Sequence, residues 1–202
     1  MRQVMRQVIL ASTSRTRIDM LAAAGVALTA QPPGVDEDEV KRALKAEEAA
    51  AADAAIALAE LKALRVSRRH PEALVIGADQ MLECDGQWYD KPADLSAARA
   101  QLQALRGKTH HLQTAAVVMI NGQRIWHHLD KASLTMRRFS DGFLDDYLRR
   151  TGDTVLWSVG GYQLEGLGIQ LFSRIDGGYF GILGLPLLPL LDFLRTHEVI
   201  AS

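Results

Sequence analysis

A short apolar segment that ends in two polar side chains constrains this chain more than any other feature. Residues 73–78 are apolar or glycine, and Asp79 and Gln80 follow them directly. A run of that length predicts a buried β-strand, and open α/β sheets carry their chemistry just past the carboxyl ends of such strands. Asp79 is therefore a candidate functional carboxylate at a strand end. The competing interpretation, that Asp79 caps a turn or the next element, stays open at this point.

The composition is typical of a globular protein with a sizeable core. Of the 202 residues, 48% are hydrophobic and 23% are charged, which excludes a disordered chain. No internal repeat or linker interrupts the sequence, so we expect a single domain over residues 1–202. Cys84 is the only cysteine, and the sequence predicts neither an internal disulfide nor a zinc site.

The charge balance and the apolar runs exclude several classes of partner. The formal net charge is −1, so no overall field attracts nucleic acid or an anionic membrane. The longest apolar run, residues 180–191, is too short to span a bilayer. Residues 1–7 lack the long apolar region of a secretory signal. We therefore expect a cytoplasmic protein that binds no nucleic acid and no membrane, and any phosphate site requires a local cluster of cations.

The first predicted strand leads into a helix start that suits an anion. Residues 7–11 predict a strand, Ser12-Thr13-Ser14 follows, and residues 15–24 have helical spacing that Gly25 closes. The first N–H groups of a helix lack partners and attract anions. Arg17 opposes the helix dipole in that turn, which indicates a bound anion. Taken alone, these residues favour the alternative that Ser14 is only an N-cap and Arg17 a solvated side chain.

An acidic turn and an alanine-rich stretch come next. Residues 26–31 are compatible with a second strand, and residues 35–39 are mostly acidic. Acids suit the first turn of a helix, and Glu37 and its neighbours are also oxygen ligands for a divalent cation. Residues 41–69 predict one long helix or two. Lys62 lies among them, and a lone helix lysine is usually solvated.

The middle of the chain predicts two hairpins. Asp85-Gly86 is a hairpin turn between short strands, and Asn121-Gly122 is the strongest such signal, between strands at residues 110–120 and 123–136. Lys91 precedes a proline, which holds it in an extended conformation. It is therefore a cation on a connecting segment.

Helices and a glycine-rich segment complete the predicted chain. Helices are expected over residues 94–106, 140–150 and 187–197. Residues 160–168 are rich in glycine but have neither a dinucleotide fingerprint nor a P-loop. Residues 171–183 predict short strands around a turn.

Six side chains from these segments form a set that suits a triphosphate with a divalent metal. They are Ser14, Arg17, Glu37, Lys62, Asp79 and Lys91. Lysine and arginine neutralise phosphate oxygens, and carboxylates hold a metal or activate water. No local motif indicates a Ser–His or Cys–His nucleophile.

In its motifs and their order the chain resembles the Maf nucleotide pyrophosphatases over nearly its whole length. The motifs are Leu10-Ala11-Ser12-Thr13-Ser14 with Arg17 and Leu21, Val35-Asp36-Glu37, Leu58-Ala59 with Lys62-Ala63, Ile76-Gly77-Ala78-Asp79-Gln80, Lys91-Pro92, Gly107 with His110 and Thr114, Glu165-Gly166, and Gly184-Leu185-Pro186. Each motif alone is weak, and it is their order and spacing together that are specific.

The resemblance implies an elongated α/β fold, with a mixed β-sheet flanked by helices and a central cleft. It also implies a hydrolase of acid anhydrides that converts a nucleoside triphosphate to the monophosphate and pyrophosphate, with Mg²⁺ or Mn²⁺ as cofactor. Asp79 would be the general base, and Glu37 and Asp79 would bind the metal. The triphosphate would be held by Ser14, Arg17, Lys62 and Lys91.

Three further positions are implied to set the base preference. They are Thr16, Gln80 and Glu165. The last two, with the glycines after the glutamate, resemble the branch that prefers 7-methyl-GTP, and a carboxylate accepts hydrogen bonds from the guanine N1–H and amino groups. The chain departs from the family pattern at Arg15 and Thr16, where proline and arginine are usual, and at Asp90, where glycine is usual.

Other functions remain open beside this one. A role in cell-division arrest is also attributed to the family, and a non-catalytic inhibitor of septum formation would need only to bind a nucleotide or a partner. A phosphatase that releases orthophosphate is a weaker possibility. The resemblance leaves a homodimer as an open option, and it implies a role in the removal of non-standard nucleotides.

Overall fold

A mixed β-sheet of seven strands forms the frame of the protein in the computed structural model, which describes residues 6–201. The strands are β1 (Val8–Leu10), β2 (Thr29–Ala30), β3 (Leu74–Cys84), β4 (Gln87–Tyr89), β5 (Thr109–Ile120), β6 (Gln123–Met136) and β7 (Phe172–Asp176). Their order is β2-β1-β3-β5-β6-β7, and β4 pairs with β3. β1 runs parallel to β2 and β3, and the other pairs are antiparallel.

Helices cover the sheet in this described part of the chain. They are α1 (Arg15–Ala23), α2 (Glu37–Ala46), α3 (Ala51–Ser67), α4 (Leu95–Leu105), α5 (Asp141–Thr151), α6 (Tyr179–Ile182) and α7 (Leu187–Thr196). Three short 3₁₀ segments lie between α5 and β7, at Gly152–Trp157, Val159–Gly161 and Leu167–Leu171. The predicted α/β class with a mixed sheet and flanking helices is confirmed.

Local signals set both ends of α1. The side-chain oxygen of Ser14 accepts a hydrogen bond from the backbone N–H of Arg17 at 3.5 Å, as an N-cap does. Gly25 follows the helix with φ of +79°, a left-handed conformation that favours glycine. Four residues separate the end of β1 from the start of α1, so the N-terminus of the helix follows the carboxyl end of that strand.

The alanine-rich stretch forms two helices. α2 ends at Ala46 and α3 begins at Ala51, and Glu48 between them has a φ of +55°. Asp36 caps α2 by accepting a hydrogen bond from the N–H of Glu39 at 3.0 Å. This interruption of the helix lets α2 pack beside α3. The acidic first turn of α2 therefore lies close to Lys62 of α3.

Small residues let α3 pack tightly on the sheet. Ala55, Ala59 and Ala63 of α3 are fully buried, and Ala59 and Ala63 lie against Gly77 of β3. A Cβ atom at Gly77 would lie 2.1 Å from the carbonyl oxygen of Ala59, so glycine is required for this close approach. The opposite face of the sheet is covered by α1 and α7, and a further core lies under α4 and α5.

The strand that carries Asp79 is longer than predicted. β3 continues through Asp79 to Cys84 and turns through Asp85-Gly86 into β4, so the predicted position of Asp79 at a strand end is wrong. The physical reason is that β5 pairs along this whole stretch, with Ala115 opposite Asp79, and that Met81 and Leu82 are buried.

Two other predicted elements differ from the structure. β2 has only two residues, because the segment leaves the sheet at Pro32-Pro33. Residues 171–183 contain one strand, β7, rather than several. Gly177, with φ of +144°, turns the chain where a Cβ atom would lie 2.5 Å from that of Ala132, and the short helix α6 follows.

The described chain begins close to β1. The predicted absence of a secretory signal concerns residues 1–7, of which residues 1–5 lie outside the described part. Within residues 6–201, none of the helices combines the length and the hydropathy needed to cross a membrane.

Candidate functional site

A gap in the edge of the sheet places Asp79 in a cavity. β1 pairs with β3 as far as Ile76, and β4 pairs with it from Leu82 onward, so no strand of the described chain covers the edge between them. Asp79 lies in this interval. The carbonyl of Ala78, next to it, accepts a hydrogen bond from Arg17 Nη1 at 2.9 Å. The adjoining cavity measures about 430 Å³, within the range of about 300–1,000 Å³ common for small-molecule sites.

The structure brings the predicted triphosphate and metal residues together around this cavity. All six line it: Ser14, Arg17, Glu37, Lys62, Asp79 and Lys91. They come from four helices or strands and two connecting segments, and up to 77 positions of sequence separate them. Their chemical roles remain predictions.

Lys62 connects the two carboxylates of the site. Its Nζ atom lies 2.6 Å from Asp79 Oδ1 and 2.8 Å from Glu37 Oε1. Lys62 is 5% exposed and Asp79 is 4% exposed. The interpretation of Lys62 as a solvated helix residue is therefore wrong, because the position on α3 faces the sheet. A buried ammonium group requires such partners, since an unpaired buried charge is strongly destabilising.

The two carboxylates have pKa values shifted in opposite directions. Burial raises the pKa of Asp79 above its ordinary value, and the charges of Lys62 and Arg17 reduce this shift without cancelling it. Burial also acts to raise the pKa of Glu37, but the ion pair with Lys62 and the charges of Lys41 and Arg17 together outweigh it, and the pKa is lowered. Two carboxyl groups with different proton affinities therefore lie on either side of one ammonium group, and Asp79 is the better proton acceptor of the two.

The start of α1 forms another wall of the cavity. The hydroxyl of Ser12 accepts a hydrogen bond from the N–H of Ser14 at 3.1 Å, which orders the turn before the helix. Arg17 donates from Nε to the carbonyl of Gly184 at 2.7 Å, in addition to its bond to Ala78. These two bonds fix the guanidinium group and leave its other N–H donors available to an anion in the cavity.

Two charged residues of the cavity were missed by sequence reasoning. Lys41 of α2 and Asp90, just before Lys91, line the cavity and form an ion pair with each other. Burial acts to lower the pKa of Lys41, but the ion pair with Asp90 and the charges of Asp79 and Glu37 together outweigh it, and the pKa is raised. The departure from the usual glycine at Asp90 was the one available signal, although it does not show that Lys41 is the partner.

A smaller pocket adjoins the cavity and contains the predicted specificity residues. Its volume is about 50 Å³, and Thr16, Gln80 and Glu165 all line it. Gln80 is held by bonds from its Nε2 atom to Thr114 Oγ1 at 2.9 Å and to the carbonyls of Gly181 and Ile182 at 3.0 Å each. These bonds use the amide N–H groups of Gln80, so its Oε1 atom remains as an acceptor. Their role in base preference stays a prediction.

The carboxylates fit a divalent metal that is shared with a bound polyphosphate. Asp79 Oδ2 is buried without a hydrogen-bond partner, and the side chain of Glu37 is 41% exposed. In residues 6–201 no cluster of three or more His, Cys, Asp or Glu side chains is arranged to hold a metal. Mg²⁺ is usually bound by one or two carboxylates together with substrate phosphates, and Asp79 and Glu37 match that donor set.

The charge of the cavity lining also fits a divalent metal bound together with a polyphosphate. Four cations line it, at Arg17, Lys41, Lys62 and Lys91, together with four carboxylates, at Glu37, Asp38, Asp79 and Asp90. The lining is thus neutral overall, and by itself it does not balance the charge of a triphosphate. A divalent cation bound together with such a ligand would supply the missing positive charge.

Comparison with known proteins identifies the family. A family model described as Maf-like protein matches residues 7–197 of the chain. The chain belongs to the Maf family. The predicted family is therefore confirmed, and the matched region includes every residue of the cavity and of the smaller pocket.

Several relatives in the Maf family carry the names of enzymes. The "nucleoside triphosphate pyrophosphatase" of Rhodospirillum rubrum is 56% identical over 195 residues, which are 96% of each protein. The protein of the same name in Paramagnetospirillum magneticum is 59% identical over 189 residues, or 94% of this chain and 97% of the relative. The "7-methyl-GTP pyrophosphatase" of Rhizobium meliloti is 48% identical over 187 residues, or 93% and 94%.

Proposed function

We propose that this Maf protein hydrolyses a nucleoside triphosphate to the monophosphate and pyrophosphate. The observation that carries the proposal is the buried carboxyl group of Asp79, which has a raised pKa, an unpartnered Oδ2 atom and a lysine at 2.6 Å, and which lines a cavity together with four cationic side chains. Relatives named as nucleoside triphosphate pyrophosphatases support the same class of activity.

Asp79 acts as the general base in this proposal. Its carboxylate accepts a proton from a water molecule, and the water oxygen forms a bond to the α-phosphorus. The bond between the α-phosphorus and the bridging oxygen of the β-phosphate then breaks, and pyrophosphate leaves. The raised pKa improves Asp79 as a proton acceptor, because a general base works best when its pKa approaches the working pH.

The cations bind the triphosphate and stabilise the charge that develops on it. Lys62 is fixed by its two carboxylate partners, and Arg17 by its two carbonyl partners, so little reorganisation accompanies the reaction. Lys91 is exposed on the cavity wall and pairs with the incoming phosphates. Ser14 and the N–H groups at the start of α1 add hydrogen bonds. Electrostatic stabilisation of this kind accounts for most of the rate in phosphoryl transfer.

A divalent metal, Mg²⁺ or Mn²⁺, is the proposed cofactor. When bound, it neutralises phosphate charge and acts as a Lewis acid on the phosphoryl oxygens. Glu37 and Asp79 are the residues that would hold it. Asp79 Oδ2 is free for this contact or for the water, while Oδ1 stays with Lys62.

The proposed substrates include 7-methyl-GTP. Glu165 lies on the wall of the smaller pocket and is exposed, and a carboxylate there accepts hydrogen bonds from the N1–H and amino groups of a guanine. The name of the Rhizobium meliloti relative agrees with this choice. Removal of a methylated nucleotide is a house-cleaning role.

A panel of nucleotides tests the proposal. The protein is incubated with 7-methyl-GTP, GTP, UTP and dTTP and with Mg²⁺ or Mn²⁺, and the products are identified. We expect pyrophosphate and a monophosphate, and Asp79→Asn should lower kcat at least about 10²-fold, as the loss of a general base does. Orthophosphate as the first product would indicate a phosphatase instead.

The non-catalytic alternative, a regulator of cell-division arrest, is not favoured. The relatives are named as enzymes, and a buried base among cations serves no purpose in simple binding. Tight binding of a nucleotide without any turnover in the panel would reverse this preference.

A further inference from the structure

Trp157 lies at the junction of the two parts of the site. It ends the 3₁₀ segment Gly152–Trp157 and lines both the 430 Å³ cavity and the smaller pocket. The smaller pocket is also lined by Thr16, Gln80 and Glu165. Trp157 is thus the aromatic side chain that borders both the predicted triphosphate region and the predicted base region.

The exposure of Trp157 is unusual for its residue type. Its relative exposure is 64%, and tryptophan is highly buried on average in folded proteins. The other two tryptophans are partly buried, and the ring of Trp126 packs against Phe193 at 5.3 Å between centroids. Trp157 belongs to none of the hydrophobic clusters in residues 6–201. The core therefore gives no reason for an indole at this position, and its position on the cavity wall points to a ligand.

We propose that Trp157 is a specificity residue whose indole ring stacks on the nucleobase of the substrate. This inference rests on the proposed pyrophosphatase function. Aromatic side chains stack on any base, because every base has a π-face. The neighbouring Glu165 then reads the hydrogen-bonding edge of the stacked base, so the two side chains act on different features of it.

The stacked position favours a base with a delocalised positive charge. Methylation at N7 places such a charge on the guanine ring, and the electron-rich face of an indole attracts cations more strongly than any other side-chain ring. The carboxylate of Glu165 in the same pocket also attracts the positive charge of the methylated base. Trp157 therefore discriminates 7-methyl-GTP from GTP, in addition to holding the base.

Fluorescence quenching tests the contact directly. The full chain is titrated in the presence of Mg²⁺ with a 7-methyl-GTP analogue whose α,β-bridging oxygen is replaced by a methylene group, so that no turnover occurs, and its tryptophan emission is measured. We expect quenching that is lost in Trp157→Phe and retained in Trp126→Phe, whose ring contacts Phe193 away from the cavity. Inorganic triphosphate, which has no base, should bind without quenching. Quenching that persists in Trp157→Phe would overturn the inference.

Affinity measurements separate stacking from a structural effect. Trp157→Ala should weaken 7-methyl-GTP binding by about 5- to 150-fold, the range for loss of one stacked base, while Trp157→Phe retains most of the affinity. Binding of inorganic triphosphate should be unchanged in both variants, which shows an intact site. The loss for GTP should be smaller, and an equal loss for both nucleotides would overturn the charge preference.

Kinetic measurements distinguish a failure of the stacking proposal from a failure of the proposed pyrophosphatase activity. If Trp157→Ala hydrolyses 7-methyl-GTP with the native KM, stacking is wrong and the pyrophosphatase activity stands. If the native protein releases pyrophosphate from no nucleotide, the activity itself is wrong, whatever the fluorescence shows.

Discussion

Lys62 shows how one side chain organises the reactive part of the site. It is buried on α3 and donates to both Asp79 and Glu37. Without it, two carboxylates would share a poorly hydrated space and repel each other. With it, Asp79 is held in a fixed orientation with one oxygen engaged and the other free.

Removal of the Lys62 charge should change the pH dependence of activity. A general base works only when deprotonated, so activity falls as the pH drops through the pKa of Asp79. Lys62 lowers that pKa against the effect of burial. In Lys62→Met the pKa rises further, and we expect the acidic limb of the kcat/KM profile to move to higher pH, with activity at neutral pH reduced about 10²-fold or more.

The matched control is Lys45→Met, which removes the same charge from an exposed position on α2 outside the cavity lining. It should leave the pH profile unchanged. If the acidic limb of Lys62→Met stays where it is in the native protein, Asp79 is not the group that titrates.

At the scale of elements, the packing of α3 on β3 sets the position of Lys62. The alanines of α3 allow a close approach, and Gly77 on β3 leaves room for the backbone of the helix. Lys62 lies on α3 and Asp79 lies on β3, so the 2.6 Å contact between them depends on the distance between this helix and this strand. We therefore expect Gly77 to affect activity through the position of Lys62, although Gly77 does not line the cavity.

Gly77→Ala should be destabilising and should lower activity. Its Cβ atom would meet Ala59 O at 2.1 Å and Ala63 N at 2.8 Å, and forced overpacking of this kind costs about 1–3 kcal/mol or more. Denaturant unfolding measures the loss. Gly142→Ala in α5 is the control, because its nearest neighbour atom is 4.0 Å away, and it should be neutral or stabilise by about 0.5–1 kcal/mol. Equal stability of the two variants would show that α3 can shift freely.

The ion pair of Lys41 and Asp90 joins α2 to the segment that carries Lys91. It connects two walls of the cavity, and Asp90 compensates a positive charge that would otherwise face the triphosphate. The pair therefore holds the walls together at the expense of affinity for phosphate.

Asp90→Asn should strengthen binding of the nucleotide. It adds one net positive charge at the cavity, and a single partly screened charge interaction is worth about 1 kcal/mol, so we expect KM to fall about fivefold. The fall should be smaller at high salt. Asp85→Asn changes the net charge equally, but Asp85 pairs with Lys108 outside the cavity lining, and it should have no effect. A higher KM for Asp90→Asn would mean that Asp90 contributes directly to substrate or metal binding.

At the scale of the whole molecule, charge is distributed to favour a metal-loaded substrate. The chain has a formal net charge of −1, and the lining of the cavity has equal numbers of cations and carboxylates. Neither long-range attraction nor the site alone compensates a triphosphate. Under the proposed function, the metal and the nucleotide would therefore depend on each other for binding.

Metal removal should stop turnover without affecting the fold. A chelator should abolish pyrophosphate release and leave the unfolding midpoint of the nucleotide-free protein unchanged, because the described residues form no metal cluster of three or more ligands. Metal and nucleotide together, at about 100 times the Kd, should stabilise the protein by about 2.7 kcal/mol. Differential scanning calorimetry measures both effects. A lower midpoint after chelation alone would indicate a structural metal site.

Short sequence motifs were enough to predict turns, helix starts and the family of the protein. Ser14 and Asp94 cap helices as their side chains predict, and Asn121-Gly122 forms the hairpin turn with φ of +50° and +71°. Such signals act over a few residues, so they can be read without knowing the fold. The motifs of the Maf resemblance also pointed to six of the side chains that line the cavity.

Only the tertiary structure decided which of these side chains meet and how. The gap beside Asp79 exists because β1 and β4 stop short on the same edge of β3, and the burial of Lys62 follows from the close packing of α3. Lys41 and Trp157 carry no local signal, and the unusual residue at Asp90 does not reveal its partner, because their position on the cavity depends on segments far apart in the chain. Contacts between distant segments form only when the whole core is buried, and a pattern within one segment does not contain them.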